Sequence, residues 1–121
     1  MPLSERERIG NRRNLKIKTE YEDLGYSVIS NPYNTSGIDL IIVATDKAKI
    51  VEVLELTNYR DKKWTIVDKT FQRYLRDLSW FGRFLNVKRT LVVSFLENLT
   101  IRQITLLRKN GILIRIEGKQ D

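Results

Sequence analysis

Two carboxylates, Asp39 and Glu55, stand among apolar residues in segments that read as the two arms of a β-hairpin. Ser36-Gly37-Ile38-Asp39-Leu40-Ile41-Ile42-Val43 runs out, Asp46-Lys47-Ala48 turns, and Ile50-Val51-Glu52-Val53-Leu54-Glu55-Leu56-Thr57-Asn58-Tyr59 returns. A three-residue loop at Asp46-Lys47-Ala48 sets Thr45 against Lys49, Val43 against Val51, Ile41 against Val53 and Asp39 against Glu55. Side chains alternate faces with period two, so the two acids then share one side of the sheet. Opposed like charges destabilise a sheet, and burying an uncompensated carboxylate is costly, so a positive group belongs beside them. A divalent metal such as Mg2+ or Mn2+ meets that need and brings bound water for chemistry. A basic side chain from a neighbouring element meets it too. A tighter turn at Thr45-Asp46 would instead set Glu52 against Asp39, at the expense of drawing Lys47, Ala48 and Lys49 into the strand.

The composition narrows the chemistry. With no cysteine and no histidine, thiol nucleophiles, disulfides, structural zinc and imidazole acid-base catalysis are excluded. Carboxylate-bound metal, lysine, serine, threonine and tyrosine remain. The 121 residues, 41% hydrophobic and 31% charged, suit one globular domain over 1–121. A formal charge of +7 points to a polyanion, nucleic acid first and an acidic membrane surface second. No apolar run is long enough to span a bilayer, and Met1-Pro2-Leu3-Ser4-Glu5-Arg6 lacks a signal-peptide core, so the expectation is a soluble cytoplasmic protein.

The elements that must position the acids follow from periodicity. Ser4 to Leu24 reads as a helix, capped by Ser4 with Glu7 in capping-box position, with Asn14, Ile17, Tyr21 and Leu24 on one stripe. Its Arg8, Arg12, Arg13 and Lys16 form a basic face for phosphate or for solvent. Gly25 caps it, Tyr26–Ser30 is a strand, and Asn31-Pro32-Tyr33-Asn34-Thr35-Ser36-Gly37 is a loop. Asn58 to Asp68 is an irregular basic connection in which Tyr59 and Trp64 alternate with Arg60, Lys62 and Lys63, a composition suited to base stacking and phosphate contact or, for Trp64, to docking on the core. A helix capped by Asp68 runs to Phe84, burying Phe71, Tyr74, Leu75, Leu78 and Phe81; it brings Gln72 near the carboxylate end of the hairpin, and its Lys69 and Arg73 are further candidates for phosphate contact. Thr90–Phe95 is a buried strand. Asn98 or Thr100 caps a helix through Ile101, Ile104 and Leu107, and Ile112–Ile116 is the last strand. The order αβββαβαβ predicts an α/β class with a mixed sheet of about five strands flanked by helices.

That order, with an acid opening the second strand and another within the third, resembles the core of the PD-(D/E)xK nuclease superfamily, most closely the small archaeal Holliday junction resolvases. Leu24-Gly25-Tyr26 resembles the end of the family's first helix, Ser36-Gly37-Ile38-Asp39-Leu40 its Gly-x-Asp strand, and Leu54-Glu55-Leu56-Thr57 its Glu-x-Lys. Gln72 with Leu75, Leu78, Ser79 and Phe81-Gly82 resembles the next helix, and Thr90 to Phe95 the strand after it. The resemblance implies a restriction-endonuclease-like fold, a homodimer acting on DNA, and Mg2+ (or Mn2+) held by Asp39, Glu55 and the Leu56 carbonyl. Gln72 and the residue at position 57 complete the implied catalytic set. There the sequence departs from the family: Thr57 replaces the lysine, and Asn14 falls where the resolvases carry a helical acid, with Glu7, Glu20 and Glu22 less well placed. Lys49, Lys62, Lys63 or Lys69 would have to restore the charge. The expectation is a metal-dependent DNA endonuclease on branched DNA or, without the lysine, an inactive nucleic-acid-binding module. A protein-interaction subunit whose hairpin acids pair with internal Lys or Arg is the third possibility.

Overall fold

A computed structural model describes residues 5–30, 37–57 and 59–118, with side chains from residue 12 onward in the first helix. The Ser4 cap, most of the Asn31–Gly37 loop, Asn58 and the end of the tail lie outside the described residues. The elements follow the expected order: α1 Glu5–Asp23, β1 Tyr26–Ser30, β2 Leu40–Ala44, β3 Lys49–Leu56, α2 Asp68–Trp80, β4 Lys88–Val93, α3 Ile101–Lys109 and β5 Leu113–Ile116. Five strands form one sheet in the order β1-β2-β3-β4-β5. The first three are antiparallel, and β4 and β5 run parallel to β3, because each is reached by a crossover through α2 or α3.

Both faces of the sheet are covered, as apolar residues on both sides of the hairpin require. On one face Ile17 of α1 meets Leu40, Ile42, Leu54 and Val92. On the other, Phe71, Tyr74 and Leu78 of α2 and Leu107 of α3 close over Val53, Leu91 and Val93. At roughly 25 cal/mol per Å2 of apolar surface removed from water, these two layers supply the main favourable term in folding.

Several local expectations give way. Ile41 does face Val53, but a bulge between Ile42 and Val43 shifts the rest, so Val43 pairs with Ile50 and Ala44 with Lys49. The connection is therefore Thr45 to Ala48, with Ala48 in the left-handed region at φ 49°. α1 stops one residue earlier than its stripe suggested, which leaves Leu24 73% exposed. α2 begins at Asp68 with Val67 in the cap position and no side-chain cap, and passes at Phe81–Arg83 into a single tight turn. Of the two caps proposed for α3, Thr100 is the one used: its hydroxyl accepts the Gln103 N–H at 3.1 Å while Gln103 accepts the Thr100 N–H at 3.0 Å.

The basic connection between β3 and α2 is fixed from beneath. Buried Asn98 donates to the carbonyls of Asp61 and Trp64 at 2.9 and 2.7 Å and accepts the Phe95 N–H at 3.0 Å. Gln103 donates to the Ile66 carbonyl at 3.0 Å. Replacing Asn98 with Ala leaves three partly buried backbone groups without their partner, and an expected loss of about 1–3 kcal/mol follows, readable as a lower urea midpoint.

Candidate active site

Asp39 sits one residue ahead of β2, and the hairpin register continues through it: its N–H donates to the Leu54 carbonyl at 3.1 Å. Its carboxylate accepts the Leu56 N–H at 2.7 Å, so the acid crosses to the edge of β3 just past Glu55. Glu55 shares the face of Val53, beneath α2, and is only 3% exposed. One of its oxygens, Oε1, is buried with no hydrogen-bond partner among the described residues. The expected convergence of the acids is therefore present in the register. Glu52 is excluded as the motif acid, because it pairs with Ile42 and projects to the opposite face. There it accepts the Tyr21 hydroxyl at 2.5 Å and the Thr90 hydroxyl at 2.8 Å, an internal polar network that also holds the Tyr21 phenol above its ordinary pKa through burial and the Glu52 charge.

Burial dominates the electrostatics of the acid pair. It raises Asp39 to about 6, partly offset by the Leu56 N–H and the Arg73 charge, with Asp77 adding to the rise. It raises Glu55 further, to about 9, with Asp39 and then Asp77 pushing the same way and Arg73 opposing. In water alone the pair therefore keeps a proton at neutral pH. Tyr74, rising to about 12 through burial and the neighbouring Glu55, closes the side toward α2.

α2 thus supplies two groups that act on the pair. Arg73, exposed and lying over the Tyr74 ring at 5.3 Å, provides the cation. Asp77, not anticipated from the sequence, adds a third negative charge nearby; its Oδ1 lies 3.7 Å from Arg76 Nε, and its Oδ2 is buried with no hydrogen-bond partner among the described residues. Its only sequence signal is its place four residues after Arg73 and three after Tyr74, beside the buried stripe. Among the described residues no three acidic side chains gather closely enough to hold one ion together. Two carboxylates and the backbone beside them are therefore the groups that come together here. In an extended strand a residue's N–H and C=O leave from the same edge, so the Leu56 carbonyl leaves β3 on the side of Asp39.

The other candidate residues divide. Thr57 is buried, and its hydroxyl donates to the Val92 carbonyl at 2.8 Å, so it does not replace the missing lysine as a proton carrier. Lys62, Lys63 and Lys69 are exposed, Lys63 pairs with Asp61, and Lys49 ends β3 at the far end of the hairpin; the charge that reaches the acids is that of Arg73 instead. Gln72 is exposed on the outer side of α2. Arg13 is not a surface cation: 1% exposed, it donates to the carbonyl of Thr57, to Ser94 Oγ at 2.8 Å and to the Gly118 carbonyl at 2.8 Å. Lys16 pairs with Glu117 at 3.1 Å, Arg12 is exposed, and the Arg8 side chain lies outside the described residues. Arg60 and Trp64 are exposed, Trp64 by 52%, whereas Tyr59 turns inward against the core.

No family model matches the chain, and no curated protein does. Among solved structures, the apo form of EndoMS, an endonuclease, matches with a TM-score of 0.51 and 20% identity. The match covers 100% of this chain and 49% of that one, so this chain spans about half the length of its neighbour. The fold is restriction-endonuclease-like. In this chain Asp39, one residue ahead of β2, and Glu55, within β3, lie away from the hairpin turn, within reach of the charges of Arg73 and Asp77 of α2.

Proposed function

We propose that the chain is a metal-dependent DNA endonuclease in which Asp39, Glu55 and the Leu56 carbonyl hold Mg2+ or Mn2+. The observation that carries this reading is the buried Glu55 Oε1, without a hydrogen-bond partner among the described residues, beside Asp39 on the adjoining strand. An orphaned buried carboxyl oxygen costs about 1–3 kcal/mol or more, and a hard cation is the group that satisfies it. When bound, the ion supplies a polarised phosphate and a water of lowered pKa. The chain's residues do the rest. Leu56 N–H fixes Asp39, the Tyr74 ring shields Glu55 from solvent, and exposed Arg73 faces an incoming phosphate in place of a lysine. The proton that the pair keeps at neutral pH must leave on metal binding, so affinity rises with pH.

Incubation of branched and linear DNA with Mg2+ or Mn2+ tests this reading. Wild type cleaves and Asp39→Asn does not; cleavage unaltered in that variant refutes the assignment. One observation favours a second reading: the hydroxyl at the lysine position is tied to Val92. On that reading the domain binds DNA without cutting it, and calorimetry shows no saturable Mn2+ site.

A further inference from the structure

Beyond the acid pair, the exposed side of α2 carries an organised row of groups. Lys69, Arg73, Arg76 and Trp80 recur at intervals of four, three and four, which at 3.6 residues per turn confines them to an arc of about 60°. All four are exposed, and the row ends in an aromatic cluster. The Trp80 ring is 49% exposed and lies edge-on to Phe81 at 4.9 Å and tilted to Phe84, itself 46% exposed, at 5.4 Å. Arg83 covers Trp80 at 4.4 Å and donates through Nε to the Trp80 carbonyl at 3.1 Å, which holds ring and guanidinium in place. Large aromatic rings left half in water and flanked by arginines are a poor match for an apolar partner. A second copy would bring the same cations against one another.

We propose that this face of α2 is a single-strand platform: Arg73 and Arg76 take backbone phosphates and an unpaired base stacks on Trp80 and Phe84. Every base has a π-face, aromatic stacking tolerates any sequence, and arginine adds cation–π attraction and phosphate contact. Trp80 lies seven residues past Arg73, about 10 Å along the axis at 1.5 Å per residue. A strand with its phosphate at the acid site therefore reaches the ring with a base about three stacked nucleotides away, at 3.4 Å each. The inference deepens the nuclease reading by naming its substrate class, DNA with unpaired nucleotides beside the scissile phosphate, and rests on that reading only for where the strand is cut.

Fluorescence anisotropy with a labelled oligothymidylate and with a duplex of equal length, in EDTA so that nothing is cleaved, tests it. Trp80→Ala is expected to lower single-strand affinity about 5- to 150-fold and duplex affinity by less than about 2-fold, with Trp80→Phe keeping most of it. In a Trp64→Phe background, the fluorescence of Trp80 falls as the single strand binds. Phe84→Ala reproduces the effect on a smaller scale. Equal losses on both DNAs, or no loss in either variant, overturns the proposal. So does sedimentation showing that Trp80→Ala turns a dimer into a monomer, since the face would then join two copies. The metal-free readout separates the two claims: a nuclease without a Trp80 effect loses the platform alone, and a Trp80 effect without cleavage loses the nuclease alone.

Discussion

Glu55→Gln is expected to abolish cleavage and, in the absence of metal, to make the folded protein more stable than wild type at pH 9 while leaving it nearly equal below about pH 4. The sign follows from the direction of the shift. Burial, Asp39 and Asp77 raise Glu55 from 4.5 to about 9 in the folded chain. Below the ordinary carboxylate range, folded and unfolded chains both carry the proton and wild type has no handicap. As pH rises through that range the unfolded chain releases its proton and the folded chain does not, so wild-type stability falls until about pH 9. Each unit of separation is worth about 1.4 kcal/mol, so the cumulative loss is several kcal/mol. Glutamine keeps the shape and has no proton to lose. Mn2+ reverses the order at pH 8 to 9, stabilising wild type by mass action and leaving the variant where it was. Removing a direct ligand lowers metal affinity by more than the roughly 10- to 100-fold typical of outer-shell changes. Thermal melts of both proteins across pH, with and without Mn2+, check all of this. A wild-type minus variant difference that stays flat with pH means that Glu55 is not held in a dry, negatively charged site.

The hairpin was legible in the sequence because its evidence is local. Period-two alternation and the Ile41–Val53 pairing need only nearby residues, and the register they set carries Asp39 to Glu55 across a strand pair. The turn was misjudged because a bulge leaves no compositional trace: Val51 is as good a strand residue bulged as paired, and the left-handed Ala48 replaces the glycine that would have marked the loop. Both strand-helix crossovers and the covering of both faces were legible for the same local reason. What escaped depends on long separations. The partners of Asn98 lie 37 and 34 residues away, and those of Arg13 lie 44, 81 and 105 residues away. A count of basic residues along α1 treats Arg12 and Arg13 alike, although one meets water and the other the interior. Asp77 escaped because Asp39 and Glu55 come from a different part of the chain, and its place beside Arg76, with which it does pair at 3.7 Å, gives no sign of them. The substitute cation was sought among lysines, where the family resemblance pointed, whereas helical geometry delivers Arg73.

Arg13→Ala is expected to be among the most destabilising substitutions available, at about 3–5 kcal/mol, the range for removing one member of a buried charged network. The Arg13 guanidinium links α1 to three elements at once: the end of β3 through Thr57, the end of β4 through Ser94, and the chain beyond β5 through Gly118. Those groups have few alternatives, because Thr57 and Ser94 are buried. Burial draws the Arg13 pKa down and the nearby Glu117 opposes it. Glu117 is held below the ordinary carboxylate range chiefly by Lys16 and Arg115, against the effect of its own burial. Arg115 also reaches Glu20 at 2.5 Å, so the network ties α1 to β5 twice. Removing Arg13 thus strands two carbonyls and a hydroxyl and leaves a cavity where its stem ran. Arg13→Met refills the stem and cancels the cost of a desolvated charge, so it is expected to lose less than Arg13→Ala. Urea denaturation of the two variants, alongside DNA binding over a salt series, separates an interior brace from a phosphate contact. The brace predicts a large drop in midpoint for Ala, a smaller one for Met, and an unchanged salt slope for the protein that remains folded. A slope reduced by about one with stability intact would place Arg13 on the DNA instead.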